Sequence, residues 1–199
     1  QTGAAISRHR FALLLVGLAL SMGLLTTLTR YLLGVTLKSS LSPDRIASYL
    51  GLLNAGLSAV GVLFQLAVAR AVVNRLGVGS ALAVYPGALI AAGACSVLLP
   101  GLAAATMAMS LERLLRQGLL RPNLQLAVMP LPDAIRARTI TLVRGMLEPL
   151  AIGIASVALL ALGGGARVSW GIPAIGALAL VAALTARRAY ALEVTSALH

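Results

Sequence analysis

Six long apolar segments divide this chain, and they restrict its fold more than any other feature of the sequence. Short stretches with arginine, glycine or proline separate them. A helix needs about 20 mainly apolar residues to cross the hydrocarbon core of a bilayer, and each segment approaches or exceeds that length. Because lipid offers the backbone no hydrogen-bond partner, segments that cross it are expected to be helices. The expected helices cover about 11–37, 45–73, 78–99, 101–119, 136–162 and 168–189.

The composition agrees with a membrane location. Hydrophobic residues make up 59% of the chain and charged residues 11%, although the formal net charge is +11. In a soluble protein that charge would suggest nucleic acid as a partner. Here the basic residues lie between apolar segments, and aromatic residues, at 4%, are too few for a base-stacking surface. We therefore predict an integral membrane protein whose partner is the lipid bilayer, and we expect no binding to nucleic acid.

Basic residues fall mainly on one side of the predicted helices. Ten lie on the side of the two termini: Arg8, Arg10, Arg70, Arg75, Arg116, Arg121, Arg136, Arg138, Arg187 and Arg188. Three lie on the other side: Lys38, Arg45 and Arg167. Loops rich in Lys and Arg stay in the cytoplasm, so we expect both termini there, in a bacterial inner membrane. Because the sequence begins at Gln1 rather than Met, we expect a fragment of a longer chain.

Charged residues lie deep inside two of the apolar segments, within 110–116 and 143–149. Ionisable groups there cost roughly 2.5–3.5 kcal/mol each on insertion, so they usually face a protein interior or a water-filled path. Two further segments carry polar stripes at helical spacing. The stripes are Gly23, Thr26, Thr27, Arg30 and Gly34, and Asn54, Ser58, Gly61 and Gln65. The candidate substrate-pathway residues are Arg30, Asn54, Gln65, Glu112, Arg113, Arg116, Arg144 and Glu148.

These candidates also have purely structural interpretations. Glu112 with Arg116, and Arg144 with Glu148, stand four residues apart and could form intrahelical pairs that make insertion tolerable. Arg30 lies near the outer end of its predicted helix and could extend to the lipid headgroups. The polar stripe of the second segment could join helices by hydrogen bonds. The sequence leaves these alternatives open.

No arrangement of residues typical of an enzyme is found in the sequence. The two histidines, His9 and His199, lie in the terminal flanks, and Cys95 is the single cysteine. The glycines at 163–165 precede no Lys-Ser or Lys-Thr pair, so they do not form a phosphate-binding loop. We predict no enzymatic activity, no cofactor and no metal site.

The distribution of charge divides the six segments into two triplets. The third and sixth segments carry no charge within about 78–99 and 168–186, whereas the deep charges lie in the first, fourth and fifth. Inverted repeats of three plus three helices build each half of a major facilitator transporter. The predicted fold class is therefore all-α transmembrane, a six-helix half-bundle of major facilitator type with a 3+3 inverted repeat. The half-bundle forms a single domain over 1–199.

Several short motifs follow one another in the order found in a known transporter family. They are Phe64-Gln65-Leu66, Asn74-Arg75-Leu76-Gly77, Tyr85-Pro86, Glu112-Arg113-Leu114-Leu115-Arg116, Arg121-Pro122, Met129-Pro130-Leu131-Pro132 and Arg136-Ala137-Arg138. Over about 50–150 the chain resembles the second half of the ATP/ADP translocase-like branch of the major facilitator superfamily, the plastid and parasite nucleotide transporters. The resemblance implies the C-terminal six-helix half of a twelve-helix transporter. Nucleotide exchange in this branch relies on lysines in the membrane, and this chain has only Lys38, so a nucleotide is one candidate solute among others.

Two functions are compatible with these observations. In the first, the chain is half of a secondary transporter for an anionic solute such as a nucleotide. Arg30, Arg113 and Arg144 bind the anion, and Glu112 and Glu148 gate the path or couple it to protons. The second six-helix half would belong to the same polypeptide or to a second copy. In the alternative, a transporter-derived, non-transporting module anchors or regulates a cytoplasmic soluble domain or a larger membrane complex, and its internal charges are fully paired.

Overall fold

The computed structural model describes residues 2–127, 129, 137, 140–141, 143–161 and 167–197, and every regular element named in them is helical. The α-helices are α1 Thr2–Ser40, α2 Pro43–Phe64, α3 Arg70–Leu98, α4 Leu102–Leu115, α5 Arg121–Ala127, α6 Glu148–Ala161 and α7 Arg167–Ala197. Three π-helical segments adjoin them: Gln65–Ala69, Arg116–Leu120 and Val143–Leu147. The prediction of an all-helical chain is confirmed for the described residues.

Four helical stretches are long and apolar enough to cross a membrane: Val16–Ser40, Pro43–Ala67, Ser80–Leu98 and Val168–Arg187. A fifth apolar stretch, Gly145–Ala161, is shorter. Helices of this length and apolarity are typical of a helical membrane protein. The segment predicted at 101–119 differs, because α4 has 14 residues and helical structure then continues through a π segment and α5 to Ala127.

A single glycine separates the second and third predicted segments. From Pro43 the chain is helical through α2, the π segment and the start of α3, until Gly77 interrupts it with a φ of +74°. Glycine adopts this left-handed conformation at little steric cost, so the helix can break there. The break lies between the predicted ends at 73 and 78.

Two of the π segments share a pattern that ends in proline. Pro122 and Pro149 each stand two residues beyond a π segment and four residues beyond a glycine, Gly118 and Gly145. A proline has no N–H for the carbonyl four residues earlier, and its ring crowds that carbonyl. A π turn widens the helix locally and accommodates the defect. In both segments the residue directly before the proline is charged.

The core is built around α1, which packs against α4, α6 and α7, while α3 packs against α7 and α4. Its fully buried side chains include Leu18 and Leu25 of α1, Tyr85 and Leu89 of α3, and Ile172 of α7. α1 therefore occupies the centre of the described bundle. Gly23 and Thr26 of its polar stripe are buried, whereas Arg30 is exposed.

Close helix approaches occur at glycines. A Cβ atom at Gly23 would lie 2.6 Å from the Cβ atom of Ala151 on α6, and one at Gly93 would lie 2.8 Å from Cδ of Pro173 on α7. Small residues at such crossings let backbones come close, which strengthens van der Waals packing where lipid provides no hydrophobic driving force.

α2 and α6 are the least enclosed apolar helices. Only 6% of the α2 span is buried inside the protein, against 56% of the α1 span. Within α2, Leu57 is the buried residue. On α6, Ile154 and Leu160 are exposed. Both helices therefore present apolar surfaces that lipid or another protein surface can cover.

Candidate functional site

A buried glutamate lies at the centre of the polar residues. Glu112, on α4, is 1% exposed. The Thr26 hydroxyl of α1 donates a hydrogen bond of 2.6 Å to Glu112 Oε1, and Arg116 Nε lies 2.7 Å from the same oxygen. Glu112 and Arg116 share one helical face because they are four residues apart. The intrahelical pair considered from the sequence is therefore formed, and Thr26 adds a contact from another helix.

Arg116 connects this glutamate to a second one at the start of α6. Arg116 Nη1 is 3.2 Å from Glu148 Oε1, and Arg121 Nη2 is 2.8 Å from the same atom. The side chains of Glu112 and Arg116 are 2% and 7% exposed, whereas that of Arg121 is 45% exposed. We call these four residues the charge cluster. It contains two acids and two arginines, so it is neutral as a unit.

Tyr85 and Asn123 are buried polar side chains without a hydrogen-bond partner among the described residues, and neither was a predicted site residue. Tyr85 of α3 is fully buried. Its hydroxyl lies near Glu112 and Thr26 but forms no hydrogen bond with either residue. Asn123 of α5 is 1% exposed, and neither atom of its amide has a partner among the described residues. The available sequence signals were a tyrosine in a charge-free segment and an asparagine in a basic connector.

A polar cavity opens beside the charge cluster, between α1, α2 and α4. Its volume is about 320 Å³, and its lining residues are Arg30, Asn54, Met109, Glu112, Arg113, Arg116 and Gln117. Arg113 Nη1 donates a hydrogen bond to Asn54 Oδ1, which ties α4 to α2 across the cavity. This space, called the polar cavity below, brings together five of the eight predicted residues.

The polar cavity has an excess of positive charge. Three arginines and one glutamate line it, which leaves two positive charges. Glu112 compensates Arg116, but neither Arg30 nor Arg113 has an acidic partner among the described residues. Guanidinium groups without acidic partners that line one cavity favour an anion, because they offer several donors in a geometry that matches carboxylate and phosphate groups.

A second cavity lies between α1 and α6. Its volume is about 700 Å³, and its lining residues are Thr26, Thr27, Arg30, Tyr31, Ile152, Ser156, Leu159 and Leu160. Aliphatic side chains from α6 form one wall, and hydroxyl groups and one arginine form the other. We call it the amphipathic cavity. Arg30 borders both cavities, so its side chain is common to their walls.

The remaining predicted residues are placed differently. Glu148 belongs to the charge cluster and borders neither cavity. Gln65 is exposed in the π segment after α2, where it packs beside Gly118 instead of entering the polar cavity. The side chain of Arg144 lies outside the part of the chain that the structure describes, so its predicted pairing with Glu148 is not addressed.

Arg30 is close to the middle of its span. It stands fourteen residues after Val16 and ten before Ser40, the two ends of the apolar stretch. At about 1.5 Å per residue these separations correspond to roughly 21 and 15 Å. The distance from the guanidinium group to the lipid headgroups is therefore longer than the predicted helix limits indicated. Arg30 also lines both cavities, which agrees with a role in binding a solute.

Comparison with known protein families, curated proteins and solved structures found no match to this chain. Within the described residues there is also no group of three or more His, Cys, Asp or Glu side chains that could hold a metal ion. The two cavities and the charge cluster are therefore the features that bear on function.

Proposed function

We propose that this chain is one six-helix half of a secondary transporter of major facilitator type, and that its polar cavity binds an anionic solute. The observation that carries the proposal is the pair of arginines, Arg30 and Arg113, that line one cavity without an acidic partner among the described residues. A charge at the depth of apolar, membrane-spanning helices is costly unless it is compensated or reached by water. A bound anion would provide the missing compensation, and a nucleotide is one candidate.

The packing of the helices supports the proposal of a half-bundle. α3 and α7 pack against each other and carry no deep charge, whereas α2 and α6 are exposed on either side of the cavities. A second six-helix half, in the same polypeptide or in a second copy, would cover α2 and α6 and complete the walls of the cavities. This arrangement agrees with the motifs that resemble the C-terminal half of an ATP/ADP translocase-like transporter.

The charge cluster supports a coupling role for the two glutamates. Glu112 forms part of the cavity wall, and Arg116 connects it to Glu148 on α6. An anion that attracts Arg116 would weaken its contacts with both acids. Binding in the cavity would then alter the contact between the α4 region and α6, which is the kind of change that a gate requires.

The alternative is a transporter-derived module that anchors or regulates a soluble domain or a larger membrane complex. It predicts an occluded interior whose charges are fully paired, so a continuous cavity that reaches both Glu112 and Glu148 would count against it. Arg30 and Arg113, which have no acidic partner among the described residues, favour the transporter proposal, whereas the polar cavity reaches Glu112 but not Glu148. In this alternative the basic connector 117–138 would dock the partner, and nine of its residues beyond Ala127 lie outside the described part of the chain.

The proposal is tested by anion binding to the purified chain in phosphatidylcholine nanodiscs. Phosphate, citrate and ATP are titrated calorimetrically, with choline as a cationic control. We expect at least one anion to bind, and we expect Arg30→Gln and Arg113→Gln each to weaken it at least tenfold. Arg45→Gln is the matched control, because Arg45 is exposed at the start of α2 and lines neither cavity.

Absence of binding by all three anions, or an equal loss with Arg45→Gln, would refute the anion site. Uptake into proteoliposomes then separates the two functions. Transport of the bound anion supports a transporter, whereas binding without uptake by the chain together with its second half favours the non-transporting module.

A further inference from the structure

The two cavities that share Arg30 as a lining residue differ in chemistry. Three arginines and a glutamate line the polar cavity, while the amphipathic cavity has Arg30 as its one charged residue among the described lining residues. The amphipathic cavity is also the larger, at about 700 Å³ against 320 Å³. A single ligand that used both spaces would therefore need a compact charged end and a larger, less polar body.

We propose that the solute is an amphipathic anion. Its charged group binds Arg30 and Arg113 in the polar cavity, and its apolar body lies in the amphipathic cavity against Ile152, Leu159 and Leu160. This inference rests on the proposed function, since it assigns a chemical class to the anion of the same site. It applies equally to a soluble organic anion and to an anionic lipid that enters from the bilayer.

The hydroxyl groups of the amphipathic cavity explain why the body is apolar. Thr26 donates its hydrogen bond to Glu112 Oε1. Thr27 donates to the carbonyl of Gly23 at 2.9 Å, and Ser156 donates to that of Ile152 at 2.8 Å.

Those hydroxyl protons are already used, so Tyr31 is the lining residue whose hydroxyl has no partner among the described residues. A sugar or another highly hydroxylated body could still donate to these hydroxyl oxygens but would find few donors, so it would replace only part of its hydrogen bonds to water, which is unfavourable. An alkyl or other hydrocarbon body loses none, and its burial is favourable in proportion to its apolar area.

Arg30 is well suited to the boundary between the two parts. It is exposed, and it forms no hydrogen bond or ion pair with another described residue. A guanidinium group can bind an oxyanion through its N–H groups while its methylene stem remains in contact with apolar atoms. One side chain can thus bind the head group and still contact the beginning of the body.

Titration of inorganic phosphate and of ethyl, butyl and hexyl phosphate tests the inference, with the chain in phosphatidylcholine nanodiscs and empty nanodiscs subtracted. We expect the dissociation constant to fall by about two- to fourfold per methylene, the upper figure being that of full burial. Arg30→Gln weakens every member of the series. Ser156→Phe, which fills the amphipathic cavity, weakens hexyl phosphate at least tenfold and changes phosphate binding by less than twofold.

Thr185→Phe is the matched control, because Thr185 is an exposed hydroxyl residue on α7 that lines neither cavity. It should leave hexyl phosphate binding unchanged, and hexyltrimethylammonium should not bind. Equal effects of Ser156→Phe and Thr185→Phe, or equal binding of the cation, would attribute the signal to the bilayer and overturn the inference.

The outcomes also separate this inference from the proposed function. Binding that requires Arg30 but is equal for phosphate and hexyl phosphate refutes the amphipathic class and leaves the anion site standing. Absence of binding by the whole series refutes the inference, and the phosphate, citrate and ATP titrations then decide the anion site. Nanodiscs that contain phosphatidylglycerol distinguish a lipid anion from a soluble anion as the natural ligand. If the anionic lipid occupies the site, it competes with hexyl phosphate and weakens its binding tenfold. Unchanged binding of hexyl phosphate assigns the site to a soluble anion. Both results support the amphipathic class.

Discussion

Arg116 is the residue through which the two internal glutamates are connected. Its Nε atom forms an ion pair with Glu112 and its Nη1 atom forms one with Glu148, so one planar group contacts acids on two helices. Arginine presents several charged N–H groups on one planar group, whereas a lysine has one nitrogen on a flexible stem. The consequence is that loss of either acid leaves the arginine only partly compensated.

We predict that Glu112→Gln destabilises the protein more than Glu148→Gln. Removing one partner of a buried pair leaves the other charge uncompensated, at a cost of about 3 kcal/mol. Glu112 is almost fully buried, whereas the Glu148 side chain is 25% exposed and Arg121 beside it is 45% exposed, so water can replace part of its contacts. Unfolding by denaturant in mixed micelles gives both free energies of unfolding. An equal or larger loss for Glu148→Gln would contradict the assignment of Glu112 as the centre of the cluster.

Asn123 leads to a prediction of the opposite sign. Its amide is buried and has no partner among the described residues, so it loses its bonds to water without replacing them. That loss costs roughly 1–3 kcal/mol in proteins. We expect Asn123→Leu, of similar size but apolar, to increase the free energy of unfolding by about 1 kcal/mol, and Asn123→Asp to reduce it. A decrease with leucine would show that the amide has a partner or a ligand.

The sequence was informative about which residues are polar in the interior but not about their partners. Charges within apolar segments pointed to Glu112 and Arg116, and their spacing of four residues made pairing one of two open alternatives. The contact between Thr26 and Glu112 spans 86 residues of the chain, and no local pattern encodes it. The pair of Arg121 with Glu148 could not be predicted either, since it depends on how the α4–α5 and α6 regions meet.

At the scale of the element, the π segments show what hydrophobic periodicity does not detect. Apolar spacing predicts a helix but not a local change in its number of residues per turn. Gly118 with Pro122 and Gly145 with Pro149 supply a reason for such a change, because each proline withdraws a backbone donor within the helix. The π segments lie directly before Arg121 and Glu148. The extra turn width therefore affects the directions in which these two side chains point, and the two form an ion pair in the charge cluster.

The α3–α7 crossing is closely packed at Gly93. A side chain at Gly93 would meet Cδ of Pro173 at 2.8 Å and Cγ2 of Ile172 at 2.9 Å, and the proline ring cannot rotate away. Overpacking of this kind costs about 1–3 kcal/mol. We expect that loss for Gly93→Leu, measured as the free energy of unfolding in micelles.

Gly87→Leu is the matched control for this crossing. Gly87 lies on the same helix, and a Cβ atom there would have no neighbour within 4 Å. Because leucine is the better helix former, we expect no loss of stability and a gain of up to about 1 kcal/mol. Equal losses for the two variants would indicate a general effect of the added side chain rather than close packing at Gly93.

For the whole molecule, the exposure of α2 is the feature that sequence patterning left unresolved. Outside its polar stripe the helix is apolar, which predicts burial in lipid or protein but does not distinguish between them. The structure shows that the described chain covers little of this helix, while Asn54 on its surface contacts Arg113 of α4. An exposed polar contact in an apolar surface is unfavourable toward lipid, so we infer that water or a second half-bundle covers this side.

The orientation of the bundle in the membrane can be tested at the two ends of α2 and its helical extension. Ser42 lies between α1 and α2, and Arg75 lies near the break at Gly77, with 33 residues of mainly helical chain between them. At about 1.5 Å per residue that is roughly 50 Å, more than the 30 Å hydrocarbon core, so the two positions should lie on opposite sides of the membrane. With Cys95 replaced by alanine, we expect Ser42→Cys to react with an impermeant thiol reagent from the periplasmic side. Arg75→Cys should react at least fivefold less until the membrane is permeabilised, because the side richer in basic residues stays in the cytoplasm. The inverse pattern would reverse the orientation, and equal reaction at both positions would refute the proposed crossing by α2.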